Sequence, residues 1–529
     1  MRRTALLAAL AVLLAPLAAA AAPVRRKVLV LYRRTLIPGK VKDLFFLDTH
    51  QHAEAVLNWL GLDLEYVDAD ATLPSPASLE DARGVLVWSR TTEEFRDPRP
   101  VCRWLGGAMN AGLKVVLLGQ IGFQRRGASG PGGLDPECVD VLRSLGATYK
   151  ALRAVGPLDV KTLLQDPRML GFERKPDPTE TGTLPLVGLS AGATPYVRLE
   201  LDDDPNTVTA PVAVSPRGGL ALNPFLLYSD TELSPVRYAW VVDPFAFFAR
   251  AFALEGLPRP DPTTLNGLRL FMSHVDGDGF FNVSELDRHK VSGEVFTERF
   301  LAKRPDTPFT VSLIAGYFDL ALYQDRATLA LERAALVRPN VEPASHGYAH
   351  PFVWRTRKLA LTIPGYSFDR EKETVGSARL IERTLLPPGE KVGLYLWTGD
   401  CLPGAQDIAA VRAGGLLDLN GGGGFFDKSH PSVANLLPLS RQADGERQIY
   451  APDNNEDVYT NLWTGPYYGF RDVIETFQNS GEPRRLKPVD VYVHYYSAER
   501  YAGVRALDEV YDWARRRPLN PQFTSVYAR

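Results

Sequence analysis

The sequence predicts an α/β protein built from several domains, and three observations carry this prediction. The chain has 529 residues, roughly three times the length of a typical domain. Short runs rich in leucine and β-branched residues alternate with helix-like segments, first over 27–150 and again from about 265 to the end. Strands buried on both faces have this composition, and their alternation with helices favours parallel sheets.

Residues 1–22 have the pattern of a secretory signal peptide. Arg2 and Arg3 precede an apolar run that Pro16 interrupts, and alanines occupy 18–22. An uncleaved membrane anchor is the alternative, because the run approaches the length that spans a bilayer. We expect cleavage, since Pro16 and the alanines fit processing better. The mature protein is then periplasmic or secreted and not an integral membrane protein, because no later stretch is long and apolar enough.

An N-terminal domain is expected over 23–150, as an open sheet of the flavodoxin or Rossmann type. Its predicted strands cover Lys27–Tyr32, Gly84–Trp88 and Leu113–Leu118. The turns after them contain neither G-x-G-x-x-G nor G-x-x-x-x-G-K-[ST], so we expect no nucleotide cofactor.

The histidines and cysteines of this domain are interpreted as structural groups. His50 and His52 match no metal motif, and we expect them either at the surface or at a helix start, where polar residues are common. Cys102 and Cys138 pair only if the fold brings them together, which their spacing alone does not decide.

A small β-rich connecting domain is expected over 151–264, where proline and glycine are frequent. The stretch Leu257–Gly267 has three prolines and a closing glycine, which predicts a linker. From there β/α alternation resumes and predicts a C-terminal barrel over 265–529. The strand candidates of the connecting domain are Tyr196–Leu201, Val208–Val214 and Tyr238–Val242.

The charge balance argues against nucleic acid as a partner. Sixty Lys and Arg residues face sixty-two Asp and Glu residues, for a formal net charge of −2. Such a chain has no basic excess that would collect nucleic acid or an anionic membrane surface.

Two carboxylates follow a predicted strand at the start of the C-terminal domain. Leu268, Leu270 and Met272 alternate as in a strand, and Asp276 and Asp278 follow two residues apart. If strand geometry persists, both carboxylates point the same way. One can then bind a metal while the other acts as a base.

A calcium loop is the rival interpretation of the same segment. Twelve residues from His274 match an EF-hand at Asp276, Asp278, Gly279 and Glu285. His274 replaces the Asp of position one, and the preceding residues alternate like a strand where an EF-hand needs a helix. A calcium-stabilised structural protein is therefore the weaker hypothesis.

His346 and His350 are four residues apart, which brings two imidazoles together on a helical turn or a compact loop. Zinc proteases use this spacing with a glutamate after the first histidine. Gly347 occupies that position here, so a protease of this type is not expected. An Asp with two His supplies three ligands and leaves a position open, as a catalytic zinc requires.

Later segments mix acidic and amide groups with aromatic rings, a combination that suits sugar binding. His494 ends a run of alternating valines at Val489–His494, and we expect it to act as a general acid at a strand end. The residues expected to bind substrate are Trp397, Asp400, Asn455, Glu456, Trp463 and Tyr467.

Taken in order, these segments resemble the polysaccharide deacetylase superfamily, and most closely the periplasmic deacetylases of Pel exopolysaccharide biosynthesis. The resemblance covers about 265–525 and extends upstream over 241–267. It is carried by SHVDGDGF (273–280), ASHGYAHPFVW (344–354), PGYSFDREKETVGS (364–377), LWTGDCLPG (396–404), APDNNEDVYTNLWTGPYYGF (451–470) and PRRLKPVDVYVHYYSAER (483–500).

The resemblance implies a divergent (β/α)7 barrel and metal-dependent removal of N-acetyl groups from an amino-sugar polymer of a biofilm matrix. N-acetylgalactosamine or N-acetylglucosamine polymers are the implied substrates, zinc the metal, and a polymer synthesis or export complex the partner. By motif, Asp278, His346 and His350 would bind the metal. Asp276 would be the base, and His494 would protonate the departing amine.

The sequence departs from the family in two places. Gly277 separates two aspartates that are adjacent in the common motif, so the roles of Asp276 and Asp278 are open to exchange. The Pel proteins carry a glycoside hydrolase domain upstream, for which 27–150 is too short. The alternative function is a non-catalytic, carbohydrate-binding scaffold of an envelope polysaccharide assembly.

Overall fold

A computed structural model describes residues 23–40 and 42–529, and the signal peptide expected at 1–22 lies outside them. The described chain is a mixed α/β protein with two large sheets, each of them mostly parallel. The predicted α/β class with parallel sheets is thereby confirmed. Among the described residues, none of the helices combines the length and the apolar character needed to cross a membrane.

The first sheet begins with four parallel strands in the order β2-β1-β3-β4. Cys102 and Cys138 form a disulfide between the two helices that follow β3 and β4. The elements are β1 (Lys27–Tyr32), α1 (Glu54–Trp59), β2 (Asp63–Asp68), β3 (Ala82–Ser89), α2 (Arg99–Asn110), β4 (Lys114–Gly119) and α3 (Pro136–Ser144).

The region after α3 is rich in strands and ends in one helix. Its elements are β5 (Ala147–Ala154), β6 (Val160–Gln165), β7 (Thr183–Leu189), β8 (Thr194–Pro195), β9 (Val197–Leu201), β10 (Asp204–Thr209), β11 (Val212–Ser215), β12 (Gly218–Leu222), β13 (Leu227–Asp230), β14 (Arg237–Trp240) and α4 (Pro244–Ala251).

Three strands of this region extend the first sheet, so the boundary expected at residue 150 does not separate two sheets. β12 pairs in parallel with β4, and β11 and β8 follow it as antiparallel strands. The pairing of β12 with β4 requires glycine at position 218. Its φ is 142°, and an added Cβ would lie 1.8 Å from the Val115 carbonyl oxygen. The sequence gives little sign of β12, since GGLAL is short and begins with two glycines.

The second sheet curls into a half-barrel, with parallel neighbours β16-β17-β18-β21-β22 and with β25 and β26 on β16. Its elements are β15 (Thr264–Leu265), β16 (Leu268–Asp276), α5 (Ser292–Phe296), β17 (Phe309–Leu313), α6 (Arg326–Leu336), β18 (Val341–Ser345), β19 (Pro351–Val353), β20 (Lys358–Leu359), α7 (Ser377–Leu385), β21 (Leu394–Leu396), α8 (Ala405–Ala413), β22 (Leu417–Leu419), β23 (Ser440–Ala443), β24 (Glu446–Ile449), α9 (Glu456–Tyr459), α10 (Val473–Asn479), β25 (Val489–His494), α11 (Tyr501–Arg515), β26 (Leu519–Pro521) and α12 (Thr524–Ala528).

An irregular segment lies between β22 and β25, where no continuous ladder of backbone hydrogen bonds joins the two strands within the described chain. A single parallel bridge joins Gly422 to Ala451, and the backbone N–H of Asp490 in β25 donates to Asp453 Oδ2 at 3.0 Å. The described chain therefore has a curled sheet with an irregular segment where the expected barrel has a strand.

The segment 43–52 of the N-terminal part packs against loops of the curled sheet. Asp43 Oδ2 accepts hydrogen bonds from Arg355 and from the fully buried Arg441, each at 2.5 Å. His50 Nε2 lies 3.2 Å from the Tyr450 hydroxyl, and His52 Nδ1 donates to the Ala434 carbonyl at 2.9 Å.

Both histidines lie in the helical turn Thr49–Ala53 directly before α1, so they occupy the expected helix start but not the surface. His50 and His52 are 0% and 6% exposed, because a distant part of the chain covers them. Local sequence does not carry that information.

The buried carboxyl group of Glu332 makes the free energy of unfolding depend on pH. Glu332 in α6 is 1% exposed, and both of its oxygens lack hydrogen-bond partners within the described chain. Burial raises the pKa of Glu332 to about 8. The folded state thus holds this proton more tightly than the unfolded chain, so stability falls as the pH rises from about 4.5 towards 8.

We expect Glu332→Gln to be more stable than the wild type at pH 8, by roughly 2–4 kcal/mol, and nearly equal to it at pH 5. The amide keeps the shape of the side chain without the charge. Thermal unfolding followed by calorimetry across this pH range tests the effect. Glu298→Gln, at a surface position, serves as the control, and a wild-type pH slope in Glu332→Gln contradicts the assignment.

Candidate metal centre and active site

Five polar side chains meet at the carboxyl ends of the curled sheet. Asp276 ends β16, His346 follows β18, Asn420 follows β22 and His494 ends β25, while Asp278 lies two residues beyond β16. Parallel strands end at the same edge of a sheet, so residues far apart in sequence become neighbours there.

Asp278, His346 and His350 converge on one point. Asp278 Oδ2 lies 3.0 Å from His346 Nε2 and 3.2 Å from His350 Nε2. One ligand atom from each residue lies within 4.8 Å of the others. These are the three residues that the motifs predict as metal ligands, and the structure brings them together.

The loop between the two histidines is held from both sides. His346 Nδ1 lies 3.0 Å from the Leu396 carbonyl oxygen and so carries the proton, which leaves the Nε2 lone pair facing Asp278. The Glu373 carboxylate accepts from the backbone N–H groups of Tyr348 and Ala349 at 2.9 Å. Two imidazole nitrogens and a carboxylate oxygen around one point are donors that suit zinc, so the residues fit a divalent cation.

The electrostatics of this trio favour a carboxylate beside positive charge. Burial alone would raise the pKa of Asp278, but His350 and His346 outweigh it and hold that pKa well below its usual range. Burial would lower the pKa of His350, yet Asp278 raises it. A bound cation would supply the positive charge beside Asp278 that protonated imidazoles otherwise supply.

Asp276 is held by a different set of donors. Asn420 Nδ2 donates to both of its oxygens, at 3.1 and 2.9 Å, and the Tyr492 hydroxyl donates to Oδ2 at 2.8 Å. The Asn420 amide is oriented in turn by His274, whose Nε2 lies 2.9 Å from Asn420 Oδ1. His274 Nδ1 lies 3.0 Å from Asp490 Oδ1.

His494 faces both carboxylates across the site. Its Nε2 lies 3.7 Å from Asp276 Oδ2 and 4.0 Å from Asp278 Oδ2. Its Nδ1 lies 3.0 Å from the buried Glu456 carboxylate and 2.8 Å from the Tyr496 hydroxyl. Burial would lower the pKa of His494, but Glu456 raises it well above its ordinary value.

The residues expected to bind substrate fall into four groups. Trp397 is fully buried and donates its Nε1–H to Asp418 at 2.9 Å, so it belongs to the core. Glu456, which is 1% exposed, contacts His494 rather than the cleft. Asp400 and Asn455 line a cavity beside the site. Trp463 packs against Tyr467 and Tyr496 at centroid distances of 5.1 and 5.0 Å.

The calcium-loop interpretation does not fit this arrangement. The residues before Asp276 form the strand β16. His274 is buried, and its ring nitrogens contact Asp490 and Asn420. Glu285, the last EF-hand position, pairs with Arg500 at 2.6 Å.

Sequence reasoning missed the supporting residues His274, Asn420, Asp490 and Tyr492. His274, Asp490 and Tyr492 lie within stretches that carry the family resemblance, but no ligand or catalytic spacing marks them. One signal was available, because Asn420 directly follows the predicted strand before the glycine run at 421–424, and strand ends are where site residues collect.

A scan against protein-family models gives no match, and a search among curated proteins gives none either. Among solved structures, the chain is similar to a T48 deacetylase with substrate, at 14% identity and a TM-score of 0.27, over 51% of this chain and 93% of that one.

Two further solved structures show similarity of the same order. One is a 4-alpha-glucanotransferase from Thermococcus litoralis, at 12% identity and a TM-score of 0.31, over 49% of this chain and 38% of that one. The other is a Streptococcus mutans CE4 esterase, at 9% identity and a TM-score of 0.27, over 49% and 86%. The function proposed below therefore rests on the residues of the site and on the sequence motifs.

We expect His346→Ala and His350→Ala each to weaken zinc binding by about tenfold or more, because each removes one of three ligands. Competition with a chelating dye measures the affinity. His289→Ala, at an exposed position, is the matched control and keeps wild-type affinity. Wild-type zinc affinity in both ligand variants would show that the metal lies elsewhere.

Proposed function

We propose that the protein is a metal-dependent hydrolase that removes N-acetyl groups from an amino-sugar polymer. The observation that carries the proposal is the pair of differently supported carboxylates, with Asp278 on two histidines and Asp276 beside them on Asn420 and Tyr492. Hydrolysis of an amide at a metal centre uses side chains that hold the metal and a separate group that acts as the base.

Asp278, His346 and His350 would hold the metal, and zinc is the metal that this donor set favours. When bound, zinc acts as a Lewis acid and lowers the pKa of a water from about 15.7 to about 7. With three protein ligands, such a site would have room for the water that the metal activates.

Asp276 is the proposed general base, and its surroundings support this assignment over the exchanged one. Its carboxylate is oriented by Asn420 and Tyr492 and lies beside the metal ligands without joining the trio. In this role Asp276 takes the proton of the attacking water at a carboxylate oxygen while the water oxygen bonds to the acetyl carbon.

His494 is the proposed general acid. The Glu456 contact at Nδ1 favours the protonated ring and leaves Nε2–H pointing towards the two carboxylates. As the C–N bond breaks, His494 delivers this proton to the amine nitrogen, which is a poor leaving group without it.

An amino-sugar polymer is the proposed substrate class for two reasons. The ordered motifs resemble those of polysaccharide deacetylases, and the rim of the site carries aromatic rings beside amides and carboxylates. Trp463, Tyr467 and Tyr496 form a continuous aromatic group next to His494. The same proposal includes a periplasmic or secreted location. It also includes an interaction with a polymer synthesis or export complex.

We expect Asp276→Asn to lower kcat for acetate release by about 10²–10⁴ and to retain zinc, because it removes the base and leaves the ligands. Enzymatic acetate detection and metal analysis of the same preparation measure both properties. Asp306→Asn, an exposed carboxylate of the same part of the chain, is the control. A joint loss of zinc and rate in Asp276→Asn would instead favour the exchanged roles.

The function itself is tested by acetate release from acetylated galactosamine and glucosamine polymers. The protein is treated with a chelator, assayed, and assayed again after zinc is restored. Release that disappears and returns supports the proposal. Polymer binding without release, with zinc shown to be bound, would support the scaffold alternative.

A further inference from the structure

A cavity of about 250 Å³ lies beside the proposed catalytic carboxylate. Tyr492 forms one end of the cavity, and its hydroxyl is the group that donates to Asp276 Oδ2 at 2.8 Å. The volume is below the roughly 300 Å³ at which pockets for drug-sized ligands begin. It therefore suits one sugar ring rather than a stretch of polymer.

The lining of the cavity combines aromatic rings with hydrogen-bonding groups. Phe45 supplies the partly exposed ring, and Asp400, Asn454 and Asn455 supply carboxylate and amide groups. Asn455 Oδ1 has no hydrogen-bond partner within the described chain. A pyranose ring offers C–H faces to aromatic rings and hydroxyl or amine donors to oxygens of this kind.

Phe45 is the contribution of the N-terminal part to this cavity, and Asp43 fixes its position. Asp43 Oδ1 accepts the backbone N–H of Phe45 at 2.9 Å. The other oxygen of Asp43 accepts from Arg355 and Arg441. One carboxylate thus shapes the turn that carries Phe45 and ties this turn to the curled sheet.

We propose that Phe45, the loops after β21 and β22, and the segment 450–458 after β24 form a subsite for the hexosamine ring next to the reacting one. The inference rests on the proposed function and deepens it, because it assigns the N-terminal part a role in holding the polymer. The site is composite, since Phe45 comes from one part of the chain and the remaining lining residues come from the other.

Kinetics on two substrates provide the first test. For Phe45→Ala, the ratio of kcat/KM for an acetylated hexosamine tetramer to kcat/KM for the monomer is expected to fall about tenfold, because only the longer substrate reaches the subsite. Phe45→Tyr, which retains the ring, restores most of the ratio. Phe46→Ala is the matched control on the same turn, since Phe46 lines a different cavity, and it keeps the wild-type ratio.

The affinity for glucosamine and galactosamine trimers, measured by calorimetry, tests the subsite apart from catalysis. These trimers carry no acetyl group that the protein could remove. About tenfold weaker trimer binding in Phe45→Ala, with wild-type binding in Phe46→Ala, supports the subsite even if no acetate is released. That combination would overturn the proposed reaction alone. Equal trimer affinity in the wild type and Phe45→Ala, or an unchanged kinetic ratio, would overturn the subsite.

Discussion

Two carboxylates that share one site repel each other, and much of the surrounding structure supplies each with its own donors. Asp278 lies against His346 and His350, whereas Asp276 accepts from Asn420 and Tyr492. The hydrogen-bond donors of the two carboxylates differ, although His494 Nε2 lies within 4.0 Å of both and His346 Nδ1 lies 3.6 Å from Asp276 Oδ1. The carboxylates therefore have different surroundings although they are only two residues apart.

The donors of Asp276 depend on a line of buried polar groups that runs through the sheet. Asn420 presents its amide N–H to Asp276 because His274 holds the amide oxygen, and His274 lies against Asp490. The Asp490 backbone is bound in turn by Asp453, in the segment that fills the gap beside β25. The irregular part of the half-barrel therefore contributes to the orientation of the Asp276 carboxylate, through Asp453 and Asp490.

The ends of parallel strands explain how much of the site the sequence predicts. Asp276, Asp278, His346, His350 and His494 were identified from spacing and from strand patterns, and the structure gathers them at one edge. Tyr492 lies in the same alternating run as His494, but its contact with Asp276 depends on the folded sheet. Asn420 and pairings such as β12 with β4 likewise depend on distant contacts. The burial of His50 likewise follows from a contact with Tyr450, 400 residues later in the chain. Local patterns do not encode such contacts.

The way the N-terminal part is attached bears on what it does. Apolar packing alone would hold two surfaces together with little control of direction. Asp43 instead meets Arg441, which is fully buried, and Arg355. Burying such charges carries a desolvation cost of several kcal/mol per ion, and hydrogen bonds to a carboxylate are directional. A contact of this kind suits a part whose orientation matters, as it does for a ring such as Phe45 that forms the wall of a cleft.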